Sequence, residues 1–352
     1  MLKTLLNQLL MVAFLWLISC NQPQSPSVTS TTLDSNTNRL MQAISIVDEN
    51  IAWISGHRAT FIQTTDGGMS WKAYGYDQID SLQFRDIHAF DDKNAVLMSA
   101  GPGSMSRILL VNLDSGFTET YVMPHEEGFL NTIEFWDDQN GLAFGDSFNG
   151  ELFVLKTTDG GTNWDRIDPS LLPPAGKGEG GFAASGTCIS TRPGGKAWIG
   201  TGAGGNARVL YTEDYGDSWN ESQVPIITGD AAGIASINMA TDLVGVIAGG
   251  DLAISDQYTD NVAITQDGGK NWTLTSQPQT KGAFYGSDVI PWKDGYFLIS
   301  SGPKGIDYSF DLGKTFSNLD TLNYWAVNMH EAGFGYAAGT EGKVIKLEIV
   351  DY

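Results

Sequence analysis

Only seven of the 352 residues are arginines; Arg58, Arg107 and Arg208 fall in or beside glycine-containing stretches, as do Asp146, Glu179, Asp251 and Asp307, and a fourth arginine, Arg85, adjoins Asp86 at the start of a strand-like run. A guanidinium presents a planar fork of donors suited to a carboxylate or phosphate. Brought together, these nine side chains would form a pocket for an anionic or strongly hydrogen-bonding ligand, a small anion or a glycan. The competing reading pairs each arginine with a neighbouring acid and gives it a purely structural task. A third reading is hydrolytic. Two carboxylates facing each other across a glycosidic bond can act as acid and as nucleophile or base, and Asp86, Asp146, Glu179 and Asp307 are the candidates.

Other chemistries fare worse. His57, His88, His125 and His330 lack metal-ligand spacing, so no metal site is expected. The run Gly200-Thr201-Gly202-Ala203-Gly204-Gly205 imitates a dinucleotide fingerprint, but no helix pattern follows it. No cofactor is expected. Cys188 lies in an apolar stretch, which predicts a buried, inert thiol.

What must position such residues is a repeat. Thr64-Thr65-Asp66-Gly67-Gly68-Met69-Ser70-Trp71 recurs around Asp159 (157–164), Asp214 (212–219), Asp267 (265–272) and Asp311 (309–316), and a decayed copy around Asp114 fills the one gap. The central aspartates are 48, 45, 55, 53 and 44 residues apart, a period suited to one four-stranded propeller blade. In such a turn the carboxylate accepts bonds from turn amides, the glycines supply positive φ and the aromatic packs between sheets. These octets resemble the Asp box, or BNR repeat, of sialidases and related propellers. The resemblance makes Asp66, Asp159, Asp214, Asp267 and Asp311 structural clips between the third and fourth strands of their blades.

Each octet is preceded by two strand-like runs, such as Ile44 to Val47 with Ala52 to Ser55, or Ile133 to Trp136 with Leu142 to Phe144. A seventh such pair, 325–328 with 335–338, is followed by a third run at 344–347, and then the chain ends without an octet. An unpaired edge is a liability, so a segment near 27–33 is predicted to supply the missing strand and close a ring. The expected fold is all-β: a seven-bladed propeller of four-stranded antiparallel blades over residues 37–352. Its variable face, opposite the octets, would carry the connections 56–58, 101–107, 145–151, 200–208, 249–261, 302–307 and 339–343 and the segment 173–179. Rigid blades make these loops the natural place for binding residues.

Residues 1–19 carry Lys3 followed by an apolar run that is short for a membrane span, and they end in Leu17-Ile18-Ser19-Cys20, which resembles the lipobox of bacterial lipoproteins. The resemblance implies a cleaved signal peptide (1–19), lipidation of Cys20, and a polar tether over 20–36. The expected location is the bacterial envelope, at the outer membrane or the periplasmic face. With 20 basic and 41 acidic residues, formal charge −21, the chain would repel phosphate backbones, so nucleic acid is excluded as a partner. A monomer is expected.

Across nearly its whole length the sequence is similar to bacterial propellers of the photosystem II assembly and stability factor type, on segments such as 84–87, 99–103, 178–187 and 302–309. That resemblance implies a binding or assembly module without cofactor, whose partner is an envelope protein, a glycan or a small anion. The sialidase side of the resemblance implies a hydrolase instead, with the arginines clasping a carboxylate and Tyr308, beside Asp307, as candidate nucleophile.

Overall fold

A computed structural model describes residues 26–254 and 259–351. The expected signal peptide (1–19), Cys20 and the first part of the expected tether lie outside the described residues, as do 255–258 of the 249–261 connection. Among the described residues no helix is long and apolar enough to cross a membrane.

The strands form seven four-stranded antiparallel sheets. Blade 1 comprises Met41–Ile46, Ala52–Gly56, Thr60–Thr64 and Lys72–Gly75. The inner strands of blades 2 to 7 are Phe84–Ala89, Leu130–Phe135, Ile189–Arg192, Ala232–Met239, Gly286–Trp292 and Tyr324–His330. In blade 7 the outer position is taken by Ser27–Leu33, antiparallel to Val344–Val350 over seven residue pairs from Ser27 with Val350 to Leu33 with Val344.

Alternation explains the packing. Successive side chains of a strand point to opposite faces, and in a propeller both faces of each sheet meet a neighbouring blade. Trp53 therefore joins the apolar cluster between blades 1 and 2, while Ala52 and Ile54 on the same strand join the one between blades 7 and 1. Second strands thus become near-continuous apolar runs, because no face is left for water.

In the first octet the Thr64 hydroxyl donates to Asp66 Oδ1 at 2.8 Å and accepts from the Gly68 amide at 2.9 Å. Asp66 in turn accepts from the Ser70 amide and hydroxyl. The same set of bonds recurs around Asp159, Asp214, Asp267 and Asp311. The decayed copy is built differently: Asn112 Oδ1 accepts from the Asp114 and Ser115 amides, and Asp114 pairs with Lys93. Thr265, only 1% exposed, bonds both Asp267 and the Gly269 amide through its hydroxyl. Thr265→Val is expected to cost about 1–2 kcal/mol by leaving these partners unmet. Urea unfolding would measure it, and Thr64→Val, in a distant blade, should add independently.

Strand direction puts the octets and the first-to-second turns at one end of the ring, the lower face. The inner-strand starts and second-to-third connections lie at the upper face. At that upper end five inner strands carry a register shift at the same place, which leaves Gln42, Arg85, Asn131, Ala235 and Trp325 out of the pairing with their second strands. A bulge re-aims its side chain, and here it supplies a ring of side chains at the head of the central channel.

Blade 4 departs from this pattern. Its inner strand begins only at Ile189, and the chain before it forms a strap across the upper end of the channel. Arg85 Nη1 of blade 2 donates to Ala183 O at 2.8 Å, Ser185 Oγ donates to Tyr285 O of blade 6 at 2.6 Å, and Thr187 Oγ1 donates to Ser236 Oγ of blade 5 at 2.8 Å. Gly186 sits at φ +71°, and a Cβ there would lie 2.3 Å from Asp86 Oδ1 and 2.8 Å from Ala43 Cβ. Only glycine fits this crossing. Cys188 Sγ beneath the strap donates to Phe182 O at 3.1 Å, and burial pushes its thiol up to about 12, so it stays protonated.

Candidate functional site

The strap divides the axis of the ring in two. Below it, a polar channel of about 570 Å³ is lined by the inner strands. Above it, on the face opposite the octets, lies a cavity of about 590 Å³. Its floor is the strap (Gly181 to Ala184), and its walls carry Phe129, Phe148, Phe182, Tyr285 and Trp325 together with Arg85, Asn131 and Asp146. Three of these, Arg85, Asn131 and Trp325, are bulge residues.

Arg85 is held by neutral groups alone. Nε and Nη2 donate to Gln83 Oε1 at 3.1 and 2.6 Å, and Nη1 donates to Ala183 O. The Gln42 amide, oriented to satisfy both its ends, accepts from Arg85 Nε and Nη1 at 3.2 and 2.9 Å and donates to His57 Nε2 at 2.9 Å. The guanidinium carbon lies 5.7 Å from the centroid of the Trp325 ring, and Tyr285 packs edge-on to that ring at 5.0 Å. Of the five guanidinium N–H groups, at least one on Nη2 remains for a ligand. Burial holds the Arg85 pKa below its ordinary value. Burial and then the Arg85 charge bring His57 down to about 4, so His57 is neutral at pH 7.

Asp146 is the acidic counterpart. Its Oδ1 accepts from Asn131 Nδ2 at 2.8 Å and from the Gly181 amide at 3.3 Å, and burial raises its pKa. Among the described residues it has no cationic partner.

The remaining sequence candidates divide cleanly. Arg208 donates to both carboxylate oxygens of Glu179 at 2.8 Å and also bonds Glu221. Glu179, 1% exposed, further accepts from Thr201 Oγ1 and the Gly176 amide. It borders the cavity with its oxygens already taken. Arg107 pairs with Glu119, and Arg58 lies 4.0 Å from Asp80 in solvent. Pairing with a neighbouring acid therefore describes three of the four arginines, and Arg85 is the exception.

Asp251 accepts from the Ala253 and Ile254 amides and so shapes its own loop. Asp86, 3% exposed, lies beneath the strap, where Oδ2 accepts from Thr132 Oγ1 and the Ile133 amide of the next blade. Asp307 is fully buried and bonded to Thr280 and Asn318. Tyr308 packs on the Phe297 and Phe310 rings. Asp86, Asp307 and Tyr308 thus lie outside the cavity, contrary to the sequence expectation, because each completes a local packing or hydrogen-bond set.

Sequence reasoning missed Asn131, Phe129, Phe148 and Phe182. The missed signal is the alignment of inner-strand starts. Gln42, Arg85, Asn131, Ala235 and Trp325 each precede the first β-branched aliphatic residue of the paired stretch, Ile44, Ile87, Ile133, Ile237 and Val327, by two positions.

No family model matches the chain, and no curated protein matches it. Among solved structures, it is similar to YCF48 bound to D1 peptide, at 14% identity over 92% of this chain and 95% of that one, with a TM-score of 0.62. It is also similar to YCF48 from Cyanidioschyzon merolae, at 16% identity over 91% and 98%, TM-score 0.62, and to the WD40 β-propeller domain of Doa1, at 11% identity over 92% and 97%, TM-score 0.60. At these identities the likeness is one of fold.

Proposed function

We propose that the chain is an exported, lipid-anchored binding or assembly module of the bacterial envelope, whose upper cavity takes an anionic, apolar-flanked group of a peptide or protein partner. One observation carries the reading: Arg85 is a largely buried cation with only neutral acceptors, set in the wall of an aromatic-lined cavity. A buried charge without a counter-charge is costly, and an incoming anion offsets that cost. The octets, in their likeness to Asp boxes, hold the blades rigid, so the cavity is largely formed before the ligand arrives. That YCF48, a protein of similar fold, was solved with a peptide supports a peptide-like partner. The Leu17-to-Cys20 motif supports the anchor. A glycosidase would need two open carboxylates. Of the four candidates, Asp146 alone faces the cavity with an oxygen to spare.

The test is purification from detergent-solubilised envelopes. A partner protein is expected to co-purify with the native chain and with Arg107→Ala, whose guanidinium bonds Glu119, and to be lost with Arg85→Ala. Cys20→Ser should move the chain to the soluble fraction. Retention of the partner by Arg85→Ala, or turnover of chromogenic glycosides by the native chain, would sink the reading.

A further inference from the structure

The cavity holds two opposite charges that do not neutralise each other. Arg85 has no carboxylate within 4.0 Å among the described residues, although Arg58, Arg107, Arg166, Arg192 and Arg208 all do. Asp146 has no cation within the same distance, and its hydrogen bonds from Asn131 and Gly181 both fall on Oδ1. Oδ2 is left open, and Asp146 borders the cavity.

Both groups are fixed to the same strap. Arg85 bonds Ala183 O and Asp146 bonds the Gly181 amide, strap atoms at most about 10 Å apart because three residues of backbone join them. In an α-amino acid the ammonium and carboxylate share one carbon. Salt-bridge contacts of about 2.8 Å from each end reach two protein charges spaced on this scale. The strap keeps Arg85 and Asp146 from collapsing onto one another, because each is bonded to the backbone and to a neighbour: Gln83 for the first, Asn131 for the second. Phe129, Phe148, Phe182, Tyr285 and Trp325 supply an apolar wall, and 590 Å³ leaves room for a bulky side chain.

Resting on the reading of this cavity as a binding site, we infer that it also takes a zwitterion that competes there with the partner's anionic group: a free α-amino acid with an aromatic side chain, its carboxylate on Arg85 and its ammonium on Asp146. A blocked chain end satisfies only one of the two charges and leaves the other desolvated, which costs affinity.

The experiment is calorimetry on the full chain in detergent, with L-phenylalanine, N-acetyl-L-phenylalanine and L-phenylalanine amide as probes. L-phenylalanine is expected to bind at least tenfold more tightly than either blocked form. Asp146→Asn should remove that advantage over N-acetyl-L-phenylalanine, weakening L-phenylalanine and letting the acetylated probe bind at least as tightly as it does to the native chain. Arg85→Gln should abolish both. Equal binding of L-phenylalanine and its N-acetyl form, unmoved by Asp146→Asn but lost in Arg85→Gln, overturns the zwitterion inference while the anion site stands. No binding of any probe also overturns it, and the co-purification above then decides the wider reading separately.

Discussion

Glu179→Ala is expected to lower the unfolding free energy by about 3 kcal/mol, the lower end of what breaking a buried ion pair costs. The reason lies in what is left behind. Arg208, its side chain 12% exposed, loses the bidentate partner that accepts from Nε and Nη2 and keeps only Glu221 and the Pro174 carbonyl. The Gly176 amide loses its acceptor as well, and the Thr201 hydroxyl keeps only the Arg208 carbonyl at 3.2 Å. The loss should appear as a fall in melting temperature of roughly 5 °C for a chain of this size. Glu179 also ties the segment before the strap to blade 4, so binding at the upper cavity should weaken in parallel. A melting temperature within a degree of the native value would show that the pair carries no net stabilisation.

Acidification from pH 7.5 to pH 5 should raise the melting temperature of the native chain. Asp288 is 2% exposed, accepts from the Val289 and Met329 amides, and is pushed by burial up to about 6. Asp86, in the same role between blades 2 and 3, is also raised by burial. A carboxyl whose folded pKa lies above its unfolded value favours the folded state in its protonated form. That contribution is complete below pH 4 and is lost as the pH rises through 6, about 3 kcal/mol for Asp288 by linkage. The octet aspartates act in the opposite sense. Hydrogen bonds from Asn163 and Ser218 hold Asp159 and Asp214 below the ordinary carboxylate range, so their contribution is present above pH 4 and lost below it. Stability should therefore peak between about pH 4 and pH 5. Thermal melts across pH 4 to 8 measure this, and Asp288→Asn should flatten the slope between pH 5 and 7. An unchanged slope in that variant would remove Asp288 as its source.

How much of this could be read beforehand depends on whether a residue's task is local. The octets were legible because their bonds close within seven residues, from Thr64 to Ser70, so type and spacing alone determine them. The pairing of Ser27–Leu33 with Val344–Val350 lay within reach of an edge-strand argument. The site was legible only in part. Arg85 and Asp146 were named from their place in upper-face segments, but so were Asp86 and Asp307, and nothing in an aspartate's neighbours in sequence distinguishes one that faces a cavity from one that binds the backbone of the next blade. The strap was illegible for another reason. It has no periodicity, and its conformation is set by contacts with blades 1, 2, 3, 5 and 6, which only the closed ring brings together.

The five bulges also bear on how such a molecule can change. A side chain within a ladder is constrained by its cross-strand partner and by the cluster it packs into. Gln42, Arg85, Asn131, Ala235 and Trp325 have no cross-strand partner in their blades. The ring thus offers a set of letters around one opening that can be rewritten without renegotiating the sheets that carry them, with Gln42, Arg85 and Trp325, in contact one to the next, changing together.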